Sequence, residues 1–381
     1  MGREVAVAGI GVLVVDDSVV IRRIISSVLD GDPDITVVGT AANGRIALDK
    51  LDALRPDIVI LDVEMPVMDG LATLRELRRT HPTLPVVMFS TVTERGAMAT
   101  LDALAAGATD YVTKPTHATS ATASVDRVRA ELIPKIKGLV GAARTRALFA
   151  NRPVPKAPTP TAAPVRQDRV DVIVIGASTG GPDALSSIVA DLRSDLSVPI
   201  LVVQHMPPLF TRLFASRLDR SSALHVVEAV DGQLVEAGHI LVAPGDQHMT
   251  VRRYGVDVRV RLTQEPPENY CRPSVDVLFR SAAAVYGAGV VACVLTGMGR
   301  DGAKGAERVR AAGGRIIVQD EESSVVWGMP GAVVAAGVAT EVVALRQIAG
   351  RLQGALSTRR AAARPVLPAS PPRAVVLGGA P

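Results

Sequence analysis

The chain has 381 residues, 48% of them hydrophobic but only 3% aromatic, with a formal net charge of +4. That length predicts two or three domains with cores of Val, Leu, Ile and Ala, and the apolar content excludes a disordered chain. A charge so small and so dispersed, without an Arg/Lys stripe, a helix-turn-helix pattern or aromatic–basic interleaving, argues against nucleic acid as a partner.

The first apolar run, Val5–Val15, stops at Asp16-Asp17, short of the roughly 20 residues of a membrane span. It also lacks a basic segment leading to a cleavage site. The expectation is a soluble, cytoplasmic protein with no direct membrane insertion. Strand patterns then alternate with helical ones. Strands are expected at Ile10–Val15, Ile35–Thr40, Ile58–Leu61, Val86–Phe89 and Tyr111–Thr113. Helices are expected at Val19–Leu29, Gly44–Leu54, Leu71–Thr80, Ala97–Ala106 and Val125–Val140. Five short βα units predict a doubly wound parallel sheet over residues 10–135.

Residues 136–169 pass from that last helix into a stretch with Pro153, Pro155, Pro158, Pro160 and Pro164 among Ala, Thr and Val, a semi-extended linker. A second α/β series follows over 170–350, with buried strands expected at Val170–Ile175, Ile200–Gln204 and Val291–Leu295. Inside it, Met249–Arg253, the turn Tyr254-Gly255 and Val256–Leu262 predict an antiparallel hairpin with one wet face. The Ala/Pro/Arg-rich residues 358–381 are expected to be disordered. Cys271 and Cys293 offer no disulfide framework and no metal-ligand spacing, and Cys293 lies within an apolar strand as a small core residue.

Two strand edges carry chemistry. In the first domain Asp16 and Asp17 follow the first strand and Asp62 the third, so three carboxylates converge on one edge. Such a cluster requires a cation or protons, and Mg²⁺ suits carboxylates combined with phosphate oxygens. Ser90 and Lys114 end the fourth and fifth strands, adding a donor and a positive charge suited to a phosphorylated aspartate. Helix capping by Asp16-Asp17 and a solvated Lys114 are the competing readings.

Val14-Val15-Asp16-Asp17-Ser18, Asp62-Val63-Glu64-Met65-Pro66 with Met68-Asp69-Gly70, and Thr113-Lys114-Pro115 resemble a response-regulator receiver domain. The resemblance implies a flavodoxin-like fold with Asp62 as phosphoryl acceptor. It further implies Mg²⁺ held by Asp16, Asp17, Asp62 and the Glu64 carbonyl, and a phosphoryl group sensed by Ser90 and Lys114.

In the second domain Gly176-Ala177-Ser178-Thr179-Gly180 fits the G-x-S-x-G elbow between a strand and a helix. A serine there needs an imidazole base oriented by a carboxylate, and His205 and Asp301 stand at neighbouring strand ends. The order Ser…His…Asp differs from that of α/β-hydrolases. Alternatives remain: a phosphate cradle at the glycine turn, helix capping by Ser178 or Asp301, or a dyad of Cys271 with a histidine.

Gly176–Pro182, Val203-Gln204-His205-Met206-Pro207, Arg272-Pro273-Ser274-Val275-Asp276, Thr296–Gly302 and Trp327-Gly328-Met329-Pro330 resemble the CheB-type chemotaxis protein-glutamate methylesterases. The resemblance implies a mostly parallel-sheet hydrolase domain with Ser178 as nucleophile, His205 as base and Asp301 as its orienter. Thr179 and Met298 would lie at the oxyanion and substrate position, with no cofactor in the hydrolase site. The implied partners are the cytoplasmic helices of methyl-accepting chemotaxis receptors and a chemotaxis histidine kinase as phosphodonor. The implied activity is phosphorylation-activated demethylation of glutamate methyl esters and deamidation of glutamines.

Overall fold

Every residue of the run Ile10–Val15 is buried, which requires a strand covered on both faces. This is β1 (Ile10–Val15) in a computed structural model that describes residues 9–114, 121–149 and 169–362. It is followed by α1 (Val19–Asp30), β2 (Ile35–Ala41), α2 (Gly44–Leu54), β3 (Ile58–Asp62) and α3 (Gly70–Thr80). β4 (Val86–Ser90), α4 (Glu94–Ala105), β5 (Asp110–Thr113) and α5 (Ala121–Phe149) complete the first unit. The five strands are parallel in the order β2-β1-β3-β4-β5. The order reverses between β1 and β3, which opens a crevice at their carboxyl ends. α5 lies on the sheet through Val128, Leu132, Ile136, Leu139 and Val140, an apolar stripe at helical spacing, and runs on past the expected end at 140.

The second unit comprises β6 (Val172–Ala177), α6 (Gly181–Ala190), β7 (Ile200–Gln204), α7 (Pro208–Ser221), β8 (His225–Glu228) and β9 (His239–Val242). The hairpin β10 (His248–Tyr254) and β11 (Asp257–Thr263) comes next, then α8 (Val275–Tyr286), β12 (Val290–Val294), α9 (Ala303–Ala311) and β13 (Arg315–Gln319). α10 (Gly328–Ala335), β14 (Glu341–Val343) and α11 (Leu345–Ala362) close it. Seven parallel strands run β14-β13-β12-β6-β7-β9-β8, with the switch of direction at β6. The fold is therefore two doubly wound α/β sheets plus one antiparallel hairpin.

Two local expectations need correction. The hairpin turns at Gly255-Val256, one residue later than expected, because Gly255 takes the positive φ (61°) and pairs Tyr254 with Asp257. The tail expected to be disordered from residue 358 is helical as far as Ala362, where Arg and Ala, both strong helix formers, extend α11. Residues 363–381, Pro115 and the proline-rich part of the linker (150–168) lie outside the described residues.

The two units meet along α4, β5 and α5 of the first. Tyr111 stacks on Phe210 with ring centroids 4.7 Å apart and planes 12° from parallel. Arg217 pairs with Asp102 beside them. Met298 packs against α5 at Gly138, where a Cβ would stand 2.5 Å from the Met298 methyl carbon.

Candidate active site

In the first unit the switch-point crevice gathers Asp16, Asp17 and Asp62, with carboxylate oxygens within 4.8 Å of one another. Asp16 is 1% and Asp62 3% exposed, so both charges are largely withdrawn from water. Lys114 Nζ lies 2.8 Å from Asp16 Oδ2 and 2.8 Å from Asp62 Oδ2. Burial raises the Asp62 carboxyl to about 6 against the pull of Lys114, and the Asp16 charge reinforces the rise. Burial alone would lower the Lys114 ammonium, but its hydrogen bonds to Asp16 and Asp62 prevail and hold it above its ordinary value. Ser90, fully buried, donates its hydroxyl to the Gly96 carbonyl (3.1 Å) in the first turn of α4. The capping alternative fails: Ser18 caps α1 by accepting from Ile21 N, while Asp16 Oδ1 accepts from Ser18 N (2.8 Å). Glu64 donates its own N–H to Asp62 Oδ1 at 3.4 Å, which places it beside the crevice.

In the second unit β6 ends in the elbow. Gly180 adopts φ 75° and caps α6 without any side-chain hydrogen bond, so Ser178 is not a helix cap. The Ser178 backbone is fixed on three sides: its N–H donates to Thr296 O (3.1 Å), and its carbonyl accepts from Gly181 N (2.8 Å) and Gln204 Nε2 (3.0 Å). Gly297 passes so close that a Cβ there would lie 2.9 Å from Ser178 Cβ. The serine is half-buried, and among the described residues its hydroxyl makes no hydrogen bond.

His205 begins the loop after β7 and is tied to the elbow by its N–H on Ala177 O (3.2 Å). Its Nε2 lies 2.9 Å from Asp301 Oδ2, and its Nδ1 lies 3.5 Å from Cys271 Sγ. Asp301 is 2% exposed and saturated with donors. Oδ1 accepts from Ser274 Oγ (2.8 Å), Asn269 Nδ2 (2.9 Å), Asp276 N (3.1 Å) and Gly302 N (3.1 Å). Oδ2 accepts from Val275 N (2.7 Å) as well as facing His205. Asp301 thus sits at the amino end of α8, whose first N–H groups and dipole stabilise an anion. It does not cap α9; Gly302 does, without a side-chain bond.

Burial would raise Asp301, but hydrogen bonds from His205 and the α8 N–H groups bring it down to about 2. Burial would likewise lower His205, but Asp301 and then Cys271 lift it to about 10. Both shifts favour the charged pair, carboxylate with imidazolium, and a ring so protonated must give up a proton before it can act as a base.

His205 and Asp301 are therefore in contact, and Ser178 stands on the adjoining strand end without a bond to the ring. Thr179 is 4% exposed and donates its hydroxyl to Asp110 Oδ2 of the first unit at 2.8 Å. With Met298 it lies at the joint between the units. Asn269, Ser274 and Asp110 join the site without a role expected from the sequence. Ser274 lies inside the Arg272–Asp276 motif and Asn269 three residues before it, which is the available signal; nothing local marks Asp110.

A family model described as CheB methylesterase matches residues 173–352, and one described as response regulator receiver domain matches residues 12–126. A protein-glutamate methylesterase/protein-glutamine glutaminase of a Nocardioides species is 53% identical, over 92% of this chain and 97% of its own length. The chain belongs to the CheB methylesterase family. A family member of the same name from Trichodesmium erythraeum is 46% identical over 89% of this chain and 96% of its own. The crystal structure of the Thermotoga maritima CheB methylesterase catalytic domain is 43% identical and covers 48% of this chain and 97% of that one, with a TM-score of 0.47. The family makes the chain a hydrolase whose methylesterase domain is joined to a response-regulator receiver. No described helix is long and apolar enough to cross a membrane.

Proposed function

We propose that this chain hydrolyses glutamate γ-methyl esters, and deamidates glutamines, on the cytoplasmic helices of chemoreceptors, and that phosphorylation of Asp62 releases the activity. The observation that carries the reading is the His205–Asp301 pair standing beside a serine whose hydroxyl is unengaged in a rigid glycine elbow. Names of relatives at up to 53% identity supply the substrate class.

The chemistry follows from the atoms. Asp301 occupies Nε2, so Nδ1, which faces Cys271 Sγ at 3.5 Å, is the ring nitrogen that would serve Ser178. Nδ1 takes the proton as Ser178 Oγ attacks the ester carbonyl, and returns it to the departing methoxide, releasing methanol. A water activated by the same nitrogen then cleaves the acyl-serine to glutamate. With glutamine the leaving group is ammonia.

For the receiver, the donor set fits Mg²⁺: three carboxylates against a single lysine leave two negative charges, the charge of one divalent cation. Asp16, Asp17 and Asp62 would hold it with the Glu64 carbonyl. Bound there, Mg²⁺ would supply positive charge to offset that of the phosphoryl oxygens. Lys114 and Ser90 then face the phosphoryl group, the phosphodonor being a chemotaxis histidine kinase. In the unphosphorylated chain the Ser90 hydroxyl is committed to Gly96 of α4, and Lys114 follows directly on β5. Drawing either residue toward a phosphoryl group pulls on the two elements that carry Asp102, Asp110 and Tyr111 to the catalytic unit. Asp110, holding the residue next to the nucleophile, is the closing contact.

Methanol release from methylated receptor membranes tests the reading, using the full chain with and without a small phosphodonor and Mg²⁺. Release that rises with the phosphodonor and vanishes in Ser178→Ala supports it. Release that persists in Ser178→Ala rejects Ser178 as the nucleophile.

A further inference from the structure

The His205 ring is shared. Of its two nitrogens one faces Asp301, and the other, the one the esterase needs, faces a thiol: Cys271 Sγ at 3.5 Å from Nδ1. The same sulfur lies 3.4 Å from the Asn269 carbonyl oxygen, and the residue is half-buried, so solvent reaches it. Two consecutive non-glycine residues in left-handed conformation, Asn269 (φ 52°) and Tyr270 (φ 62°), bring it there. Strain of that kind persists only where surrounding contacts hold it. Here Asn269 is held by Asp301 and Asp276, both at 2.9 Å. Cys271, His205 and Asp301 thus form a nucleophile, base and orienter in sequence.

We propose that Cys271 is a second nucleophile on the same base and a modification site for peroxides, whose oxidation to a sulfenic acid turns the hydrolase off until a thiol restores it. The proposal rests on His205 being the base of the esterase. A thiolate is the reactive form of cysteine, and His205 Nδ1, 3.5 Å from the sulfur, is placed to take the thiol proton as the sulfur attacks. With hydrogen peroxide, the sulfur attacks one oxygen and an S–O bond forms as the O–O bond breaks. The second oxygen leaves as hydroxide and takes the His205 proton, giving water. Sulfur is oxidised and the peroxide reduced. The sulfenic acid then stands on Nδ1, where Ser178 requires a free acceptor. Two molecules of a reducing thiol return Cys271 to the thiol, forming their own disulfide and water. Cys293, the other cysteine of the chain, is fully buried in β12 with its thiol pushed far up by burial. It offers no partner for a disulfide and no competing reactive site.

Two measurements on the folded full chain test this. The first is the rate of iodoacetamide labelling at Cys271, read by peptide mass spectrometry, which needs no esterase activity. His205→Gln should slow it at least tenfold, and equal rates would overturn the role given to His205 in activating the thiol. The second is methanol release after brief treatment with hydrogen peroxide. The wild type should lose at least tenfold, carry a dimedone adduct on Cys271 and recover with dithiothreitol. Cys271→Ser, compared with its own untreated rate, should be insensitive. Loss without a dimedone adduct, or an equal loss in Cys271→Ser with sulfoxide on Met298, refutes the site. Untreated enzyme that releases no methanol condemns the esterase reading alone, because the labelling rates still judge Cys271.

Discussion

Asp110→Ala should open the gate without a phosphodonor. The carboxylate accepts the Thr179 hydroxyl at 2.8 Å in a buried position and pairs with Lys135 of its own unit at 3.0 Å. The change therefore removes the cross-unit hydrogen bond to a charged group, worth about 1.5–3 kcal/mol, and leaves the Tyr111–Phe210 stack in place. A two-state gate that moves from 1:99 to 99:1 spans about 5.5 kcal/mol, so this contact is a quarter to a half of it. Starting from about 1% open, the variant should be about 10% to about 60% open, since each 1.4 kcal/mol is tenfold. Methanol release by the unphosphorylated enzyme should rise by the same roughly 10- to 60-fold. Stimulation by a phosphodonor should shrink in proportion, while the fully phosphorylated rate stays at the wild-type level. An unphosphorylated rate equal to wild type, in a variant with wild-type circular dichroism and urea midpoint, would refute the role of this contact.

Ser178→Ala should lower turnover by at least about 10⁴-fold while leaving the urea midpoint unchanged, because among the described residues the hydroxyl makes no hydrogen bond. Asp62→Asn should abolish labelling by a radioactive small phosphodonor with Mg²⁺; continued labelling would place the acceptor elsewhere. The His205–Asp301 pair sets a pH window for stability. Asp301, held at about 2, contributes above its unfolded value of 3.8 and loses that contribution as pH falls toward 2. His205, lifted to about 10, contributes below 6.5 and loses its contribution as pH rises from 6.5 toward 10. Urea midpoints should accordingly peak between about pH 4 and 6.5 and decline on either side. Over pH 6.5 to 10 kcat/KM should climb as the imidazolium deprotonates, so activity and stability should move in opposite directions. A midpoint that is flat from pH 6.5 to 10 would contradict the ion pair.

The sequence marks the strand ends because β1, β6 and β12 are buried on both faces, and burial writes itself as unbroken apolar runs. The positions of Asp16 and Ser178 follow from the runs of β1 and β6, and those of Asp62 and His205 from the equally buried runs of β3 and β7. Short edge strands leave a weaker trace: β8 begins with the exposed His225, and β14 has three residues, so neither is readable as a buried run. Contacts between distant segments leave no local trace at all. Asp301 serves α8, which begins 26 residues earlier, rather than the helix it adjoins, and Asp110 meets Thr179 across 69 residues. Cys271 was a loop cysteine by its neighbours. Its approach to His205 depends on left-handed Asn269 and Tyr270, a conformation that residue preferences disfavour for a tyrosine.

Aromatic side chains are scarce in this chain, five Phe, four Tyr and one Trp, yet two of them face each other across the joint between the units. Tyr111 is 7% and Phe210 0% exposed while the units are closed. Separating them wets both ring faces together, so hydration of those rings opposes activation. In the proposed open form the bared ring would lie on α7, the helix that follows the loop bearing His205. A surface that covers Phe210 in place of Tyr111 would therefore favour the proposed open form.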